Sequence, residues 1–142
     1  SAGLRWPRGN VLLSIHGDHD RYIFLEYMMK LLEMGFHLYA THHTHEFLKK
    51  LETPSTMVYK VHDEEKEPNI LTLLSRKEIG LAIILTQEHT STTLEDDYSV
   101  RRTAVDFGVP LVSNISLARA LIDALARHRF ADLAVKAWDE YR

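Results

Sequence analysis

Short apolar runs alternate with amphipathic stretches along most of the chain. The apolar runs predict strands at residues 10–15, 37–40, 57–61, 81–85 and 109–112. The stretches between them carry apolar residues at helical spacing and predict helices at 21–34, 44–51, 69–75, 99–107 and 115–126. A further helical face extends over residues 129–141. Gly35 and Gly108 follow two of the helices, where glycine commonly ends a helix.

This order of elements predicts an α/β domain with a parallel sheet and helices on both faces. The run at 81–85 is apolar throughout, as expected of a strand buried on both faces, and Pro110 places the last strand at an edge. The length of 142 residues suits one domain over 1–142, with a core at about 10–126 and a C-terminal helix at about 129–141. In such folds ligands bind beyond the carboxyl ends of the strands.

Composition narrows the choice of function. The formal charge of -3 argues against a nucleic-acid partner, and no apolar run approaches the roughly 18 residues of a membrane span. The chain has no cysteine, which excludes thiolate ligands and thiol nucleophiles and fits the cytoplasm. Nine histidines are many for this length, but there is no HExxH motif, and we predict no metal site.

Polar residues at three predicted strand ends suggest an anion site. Thr41 and Thr44 follow the second strand and enter a helix, where hydroxyls and free backbone N–H groups can bind an anion. Arg21 opens the first helix, and Lys60 lies near the end of the third strand, on the same side of the sheet. The alternative for the two threonines is that one of them only caps the helix.

Four further residues are candidates for the same site. Arg101 opens the predicted fourth helix together with Arg102. Either one of the two faces the cleft while the other contacts an acidic neighbour such as Asp106, or, as we favour, they form a solvated or structural pair. Asn114 follows the fifth strand and either touches a ligand or, as we favour, caps the next helix. Two more candidates, at strand ends, are His43 and Thr86.

Several short motifs, in order and at similar spacing, resemble the C-terminal domain of the carbamoyl-phosphate synthetase large subunit. The resemblance covers roughly residues 10–126. The motifs are Leu12-Leu13-Ser14, Asp20-Arg21, Gly35-Phe36, Ala40-Thr41-His42-His43-Thr44, Lys60-Val61-His62, residues 81–85, residues 100–105 and Val109-Pro110-Leu111.

The resemblance implies a Rossmann-like three-layer sandwich with a five-stranded parallel sheet, of the methylglyoxal synthase-like type. It also implies an allosteric domain without catalytic residues or a cofactor of its own, in a synthetase that uses ATP and magnesium. Arg21 stands where the family has a phosphate-binding lysine, and Thr41, Thr44 and Lys60 are implied to contact an effector phosphate. The family's effectors are uridine nucleotides, inosine monophosphate or phosphoribosyl pyrophosphate, and N-acetylglutamate in the urea-cycle branch, which is mitochondrial. The implied partners are this effector and the other synthetase domains.

Departures from the family pattern affect the predicted specificity. Leu85 and Thr86 stand where the bacterial effector site has an asparagine, and His43 replaces a common glycine. Lys60 favours a phosphorylated effector over N-acetylglutamate. A methylglyoxal synthase-type lyase acting on dihydroxyacetone phosphate is an alternative, but the stretch 63–69 lacks that family's Gly-Gly-Asp loop. Another alternative is a protein-interaction module that docks through its C-terminal helix.

Overall fold

A computed structural model of the protein describes the backbone of residues 9–59, 67–85 and 91–140, with side chains up to residue 128 except those of 91–97. Five strands alternate with five helices in these ranges. The strands are β1 (Asn10–Ile15), β2 (His37–Thr41), β3 (Thr56–Val58), β4 (Leu81–Leu85) and β5 (Leu111–Val112). The helices are α1 (Asp18–Glu33), α2 (His42–Lys50), α3 (Ile70–Ser75), α4 (Ser91–Asp106) and α5 (Ile115–Glu140).

The strands form one parallel sheet in the order β3-β2-β1-β4-β5. Leu13 pairs with Ala40 of β2 on one side and with Ile83 of β4 on the other, so β1 is the central strand of the sheet. All five residues of β4 are buried. The predicted α/β class, the parallel sheet and the edge position of β5 are therefore confirmed.

The sheet separates two apolar cores, as the alternation of side chains along β1 requires. Leu13 and Ile15 face one core, which α1, α2 and α5 cover. Leu12 faces the other core, which α3 and α4 cover. Helices on both faces are what a parallel sheet needs to bury its apolar side chains.

Some predicted boundaries differ from the observed ones. Helix α1 begins at Asp18, not at residue 21, because the acidic first turn is favourable at a helix start although it adds no apolar periodicity. Helix α4 begins at Ser91, within a polar stretch, and not at residue 99 as predicted. The predicted helices at 115–126 and 129–141 are one helix, since no glycine or proline interrupts the sequence between them.

None of the helices in the described ranges is long and apolar enough to cross a membrane.

A polar contact joins α1 to α5 beside the larger core. Lys30 Nζ lies 3.0 Å from Asp123 Oδ1 and 3.8 Å from Glu26 Oε1. The hydrogen bond to Asp123 raises the pKa of Lys30 above its ordinary value of 10.5. A raised lysine pKa means that the folded state binds this proton more tightly than the unfolded state does.

We expect the contribution of this contact to stability to depend on pH. It is fully present below pH 10.5 and is lost as the pH rises through the higher folded-state pKa. Asp123→Asn should therefore lower the urea midpoint at pH 7 more than at pH 11. The size of the effect is small because both side chains are about one-third exposed. An equal loss at both pH values would contradict the expectation.

Candidate functional site

The carboxyl ends of β1, β2 and β4 lie side by side. We call this border, which runs across the strand ends, the sheet edge. The backbone N–H of His16 donates to the carbonyl of Leu85 at 2.8 Å, so β1 and β4 stay paired to their last residues. Helices α1 and α2 begin at this edge, directly after β1 and β2. We call the polar group on this edge the rim site; its members are Ser14, Asp18, Arg21, Thr41 and Thr44, together with the backbone of Ile15.

Arg21 lies at the centre of the rim site and is almost buried, with its side chain 11% exposed. Its Nε donates to the carbonyl of Ile15 at 2.9 Å, and its Nη1 donates to Asp18 Oδ1 at 2.8 Å. A guanidinium has five N–H groups. Among the described residues, these two bonds leave further N–H groups of Arg21 without a hydrogen-bond partner.

Thr44 completes the end of β1. Ile15 turns its N–H and its carbonyl toward β2, but β2 ends at Thr41 and the chain continues into α2. The Thr44 hydroxyl takes the place of the missing strand: it accepts from Ile15 N at 3.0 Å and donates to Ile15 O at 3.3 Å. Thr44 is fully buried. Its hydroxyl thus links α2 to the central strand.

Thr41 pairs with a residue that the sequence analysis missed. Its Oγ1 donates to Ser14 Oγ at 3.2 Å across the β1–β2 ladder. Ser14 is a single hydroxyl residue in an otherwise apolar part of β1, and that interruption was the signal that could have identified it. The two hydroxyls lie on the α3–α4 side of the sheet, since Ser14 shares its face with Leu12.

The structure contradicts the interpretation that Thr41 or Thr44 caps α2. Thr41 is the N-cap residue of α2 but its side chain makes no capping hydrogen bond, and Thr44 lies in the first turn with its hydroxyl on Ile15. Both hydroxyls satisfy groups on β1 instead. The first-turn N–H groups of α2 therefore have no capping side chain at the N-cap position, which is the condition under which a helix start binds an anion.

Two other predicted residues lie on the elements around the rim site. His43 is exposed in the first turn of α2, and its ring contacts that of His42 at a centroid distance of 5.1 Å. Arg101 is exposed on α4, as is Arg102, and no ion pair between Arg102 and Asp106 occurs among the described side chains.

Asn114 has the structural role that we favoured for it. Its Oδ1 accepts from the N–H of Leu117 at 3.0 Å, which caps the start of α5. Two predicted site residues, Lys60 and Thr86, lie outside the described residues. The ligand contacts predicted for all these side chains stay predictions.

Side chains in the described ranges do not form a group of three or more His, Asp or Glu residues that could hold a metal ion. The donors of the rim site are instead a guanidinium, hydroxyls and backbone N–H groups. These groups suit an anion with several oxygens, such as a phosphate.

Comparisons with known proteins agree with this architecture. A family model described as MGS-like domain matches residues 24–113. In a search of solved structures, the chain is similar to a methylglyoxal synthase from Elizabethkingia anophelis, with a TM-score of 0.58 over 81% of this chain and 77% of the other. The sequence identity is 13%, so this likeness concerns the fold alone.

Sequence relatives are much longer proteins. The chain is 36% identical over 118 residues to the carbamoyl phosphate synthase large chain of Thermoplasma acidophilum, covering 83% of this chain and 11% of the relative. It is 32% identical over 141 residues to the C-terminal section of that large chain in Methanocaldococcus jannaschii, covering 99% and 22%. It is 33% identical over 136 residues to the multifunctional protein pyr-3 of Neurospora crassa, covering 91% and 7%. The chain thus spans less than a quarter of each of these relatives.

Proposed function

Because the chain belongs to the MGS-like domain family, we propose that it is the effector-binding domain of a carbamoyl-phosphate synthetase and that its effector carries a phosphate. The observation that carries this proposal is the nearly buried Arg21, held between β1 and the start of α1 with N–H groups left for a ligand. The names of the relatives from Thermoplasma acidophilum and Methanocaldococcus jannaschii support the synthetase.

The rim site supplies the chemistry for a phosphate. Arg21 provides a charged donor whose position is fixed by the carbonyl of Ile15. The start of α2 provides backbone N–H groups and the positive end of a helix dipole. Since the Thr44 hydroxyl is committed to Ile15, Thr44 would contact the ligand through its backbone N–H.

The remaining predicted residues complete the proposal. Lys60 would add a second positive charge, and His43 and Thr86 would lie near the ribose or base of a nucleotide. Arg101 and Asn114 would approach from α4 and from the start of α5. An effector that binds one conformation of the synthetase more tightly would shift the equilibrium of the whole enzyme, which is regulation by linkage.

Ligand-dependent stability tests this function. The panel is UMP, UTP, inosine monophosphate, phosphoribosyl pyrophosphate, N-acetylglutamate and inorganic phosphate. A phosphorylated ligand at ten times its Kd is expected to stabilise the folded state by about 1.4 kcal/mol. For a domain of this size the Tm should rise by about 5 °C. Thermal unfolding followed by circular dichroism provides the measurement.

Matched variants localise the effect. Thr41→Val and Lys60→Ala should remove most of the ligand-dependent rise in Tm. Thr103→Val, near the end of α4 and away from the rim site, should keep it. A panel without any rise would refute the proposed function. Methylglyoxal formation from dihydroxyacetone phosphate would favour the lyase instead.

A further inference from the structure

We propose that Asp18 is a built-in competitor for the ligand: its carboxylate occupies Arg21 when the site is empty and must be displaced when a phosphate binds. This inference rests on the proposed function and adds to it a residue that sets affinity. Asp18 was not among the residues predicted from the sequence to form the site.

The two partners of Arg21 differ in how firmly they are held. The carbonyl of Ile15 belongs to a buried central strand and is fixed by the sheet. The side chain of Asp18 is 85% exposed, and within the described part of the chain its one hydrogen bond is that from Arg21 Nη1 at 2.8 Å. An exposed carboxylate of this kind is held weakly, because water competes with it. Arg21 can therefore exchange Asp18 for another anion without losing its anchor on β1.

Asp18 also occupies the favourable end of a helix. It is the first residue of α1, directly after the N-cap Gly17, which has a φ of 91° and provides no side-chain cap. The positive end of the helix dipole and Arg21 both stabilise a negative charge here. A phosphate that approaches Arg21 meets this resident negative charge at close range, and its affinity is lowered by the repulsion.

A phosphate gains more from the rim site than a carboxylate ligand does. A carboxylate ligand would replace Asp18 with an equivalent group and would gain little from Arg21. A phosphate brings up to two charges and three acceptor oxygens, so that it gains more from Arg21 and from the helix starts than the displaced carboxylate loses. The preference for phosphate therefore comes from Arg21 and the helix starts, and Asp18 sets how tightly the anion is bound.

A phosphate titration with four proteins tests this role. Wild type, Asp18→Asn, Asp18→Ser and Asp20→Asn are titrated with inorganic phosphate at pH 7.5, with NaCl added to hold the ionic strength constant. Binding is followed by the NMR signal of the Arg21 Nε–H group. Asp20→Asn is the matched control, because Asp20 lies in the same helical turn and the substitution removes the same negative charge. Asp18→Ser provides a second variant with a residue that helix starts tolerate.

We expect Asp18→Asn and Asp18→Ser to bind phosphate about two- to fivefold more tightly than wild type. Asp20→Asn should change the affinity by less than half as much. Acetate should also bind the Asp18 variants more tightly than it binds wild type, since the competing carboxylate is absent.

Four results would overturn the inference. Equal tightening in the Asp18 and Asp20 variants would mean that only the general field of the acidic turn matters. Weaker binding in both Asp18 variants would mean that Asp18 orients Arg21 for the ligand. If none of the four proteins binds phosphate, the proposed function fails together with this inference. If wild type binds phosphate and the Asp18 variants bind it no more tightly, only the competitor role is refuted.

Discussion

Arg21→Met is expected to weaken phosphate binding by about 10- to 100-fold and to lower the free energy of unfolding by about 1–2 kcal/mol. The loss of affinity follows from removing the only charged donor that the described residues place at the centre of the rim site. The loss of stability follows from the bond between Nε and the carbonyl of Ile15. It stays moderate because Ile15 O still accepts from the Thr44 hydroxyl. Isothermal titration with inorganic phosphate and urea unfolding measure the two effects.

Arg21→Lys separates the two roles of the arginine. A lysine keeps the positive charge but has no planar fork that can hold Ile15 and a ligand at the same time. We expect this variant to keep more of the phosphate affinity than Arg21→Met does while losing a similar share of stability. Unchanged phosphate affinity in Arg21→Met would mean that the anion binds elsewhere.

Thr44→Val is expected to lower the free energy of unfolding by about 1–3 kcal/mol, although valine has nearly the same shape. The hydroxyl is the acceptor for the backbone N–H of Ile15, which is buried in the sheet. Valine leaves that N–H without an acceptor and separates the start of α2 from β1. Urea unfolding measures the loss, and hydrogen exchange should be faster at the Ile15 amide in particular.

Thr41→Val is the matched control for this substitution. The Thr41 hydroxyl bonds to another hydroxyl, that of Ser14, and no backbone group loses its partner when it is removed. We expect this variant to lose less than half as much stability as Thr44→Val. If the two variants were equally destabilised, the bonds between Thr44 and Ile15 would not be what stabilises the end of β1.

Much of the fold could be predicted from local pattern. The bounds of β1 and β4 match the prediction because both are apolar runs bordered by polar residues and glycine. The start of α4 could not be predicted, since the residues from Ser91 onward lack a clear apolar period. The third strand was predicted at 57–61, and the structure places β3 at Thr56–Val58. Residues 60 and 61 are not among the residues that the structure describes.

The site was predictable in position but not in its internal bonding. Parallel topology alone brings Arg21, Thr41 and Thr44 to the same edge of the sheet. The partners of these residues are set by tertiary packing: Thr44 bonds to Ile15, which is 29 residues away in sequence. Spacing along the chain contains no information on such a bond, so the capping interpretation was a reasonable expectation that proved wrong.

The short strands at both edges of the sheet have a consequence for self-association. β3 has three residues and β5 has two, with Pro110 directly before β5. Beyond β3, Tyr59 pairs with Asn69, which covers part of that edge. Open strand edges are templates on which another chain can add a strand and begin to aggregate. In the described part of the chain, edges this short present little unpaired backbone, which disfavours growth into intermolecular sheets.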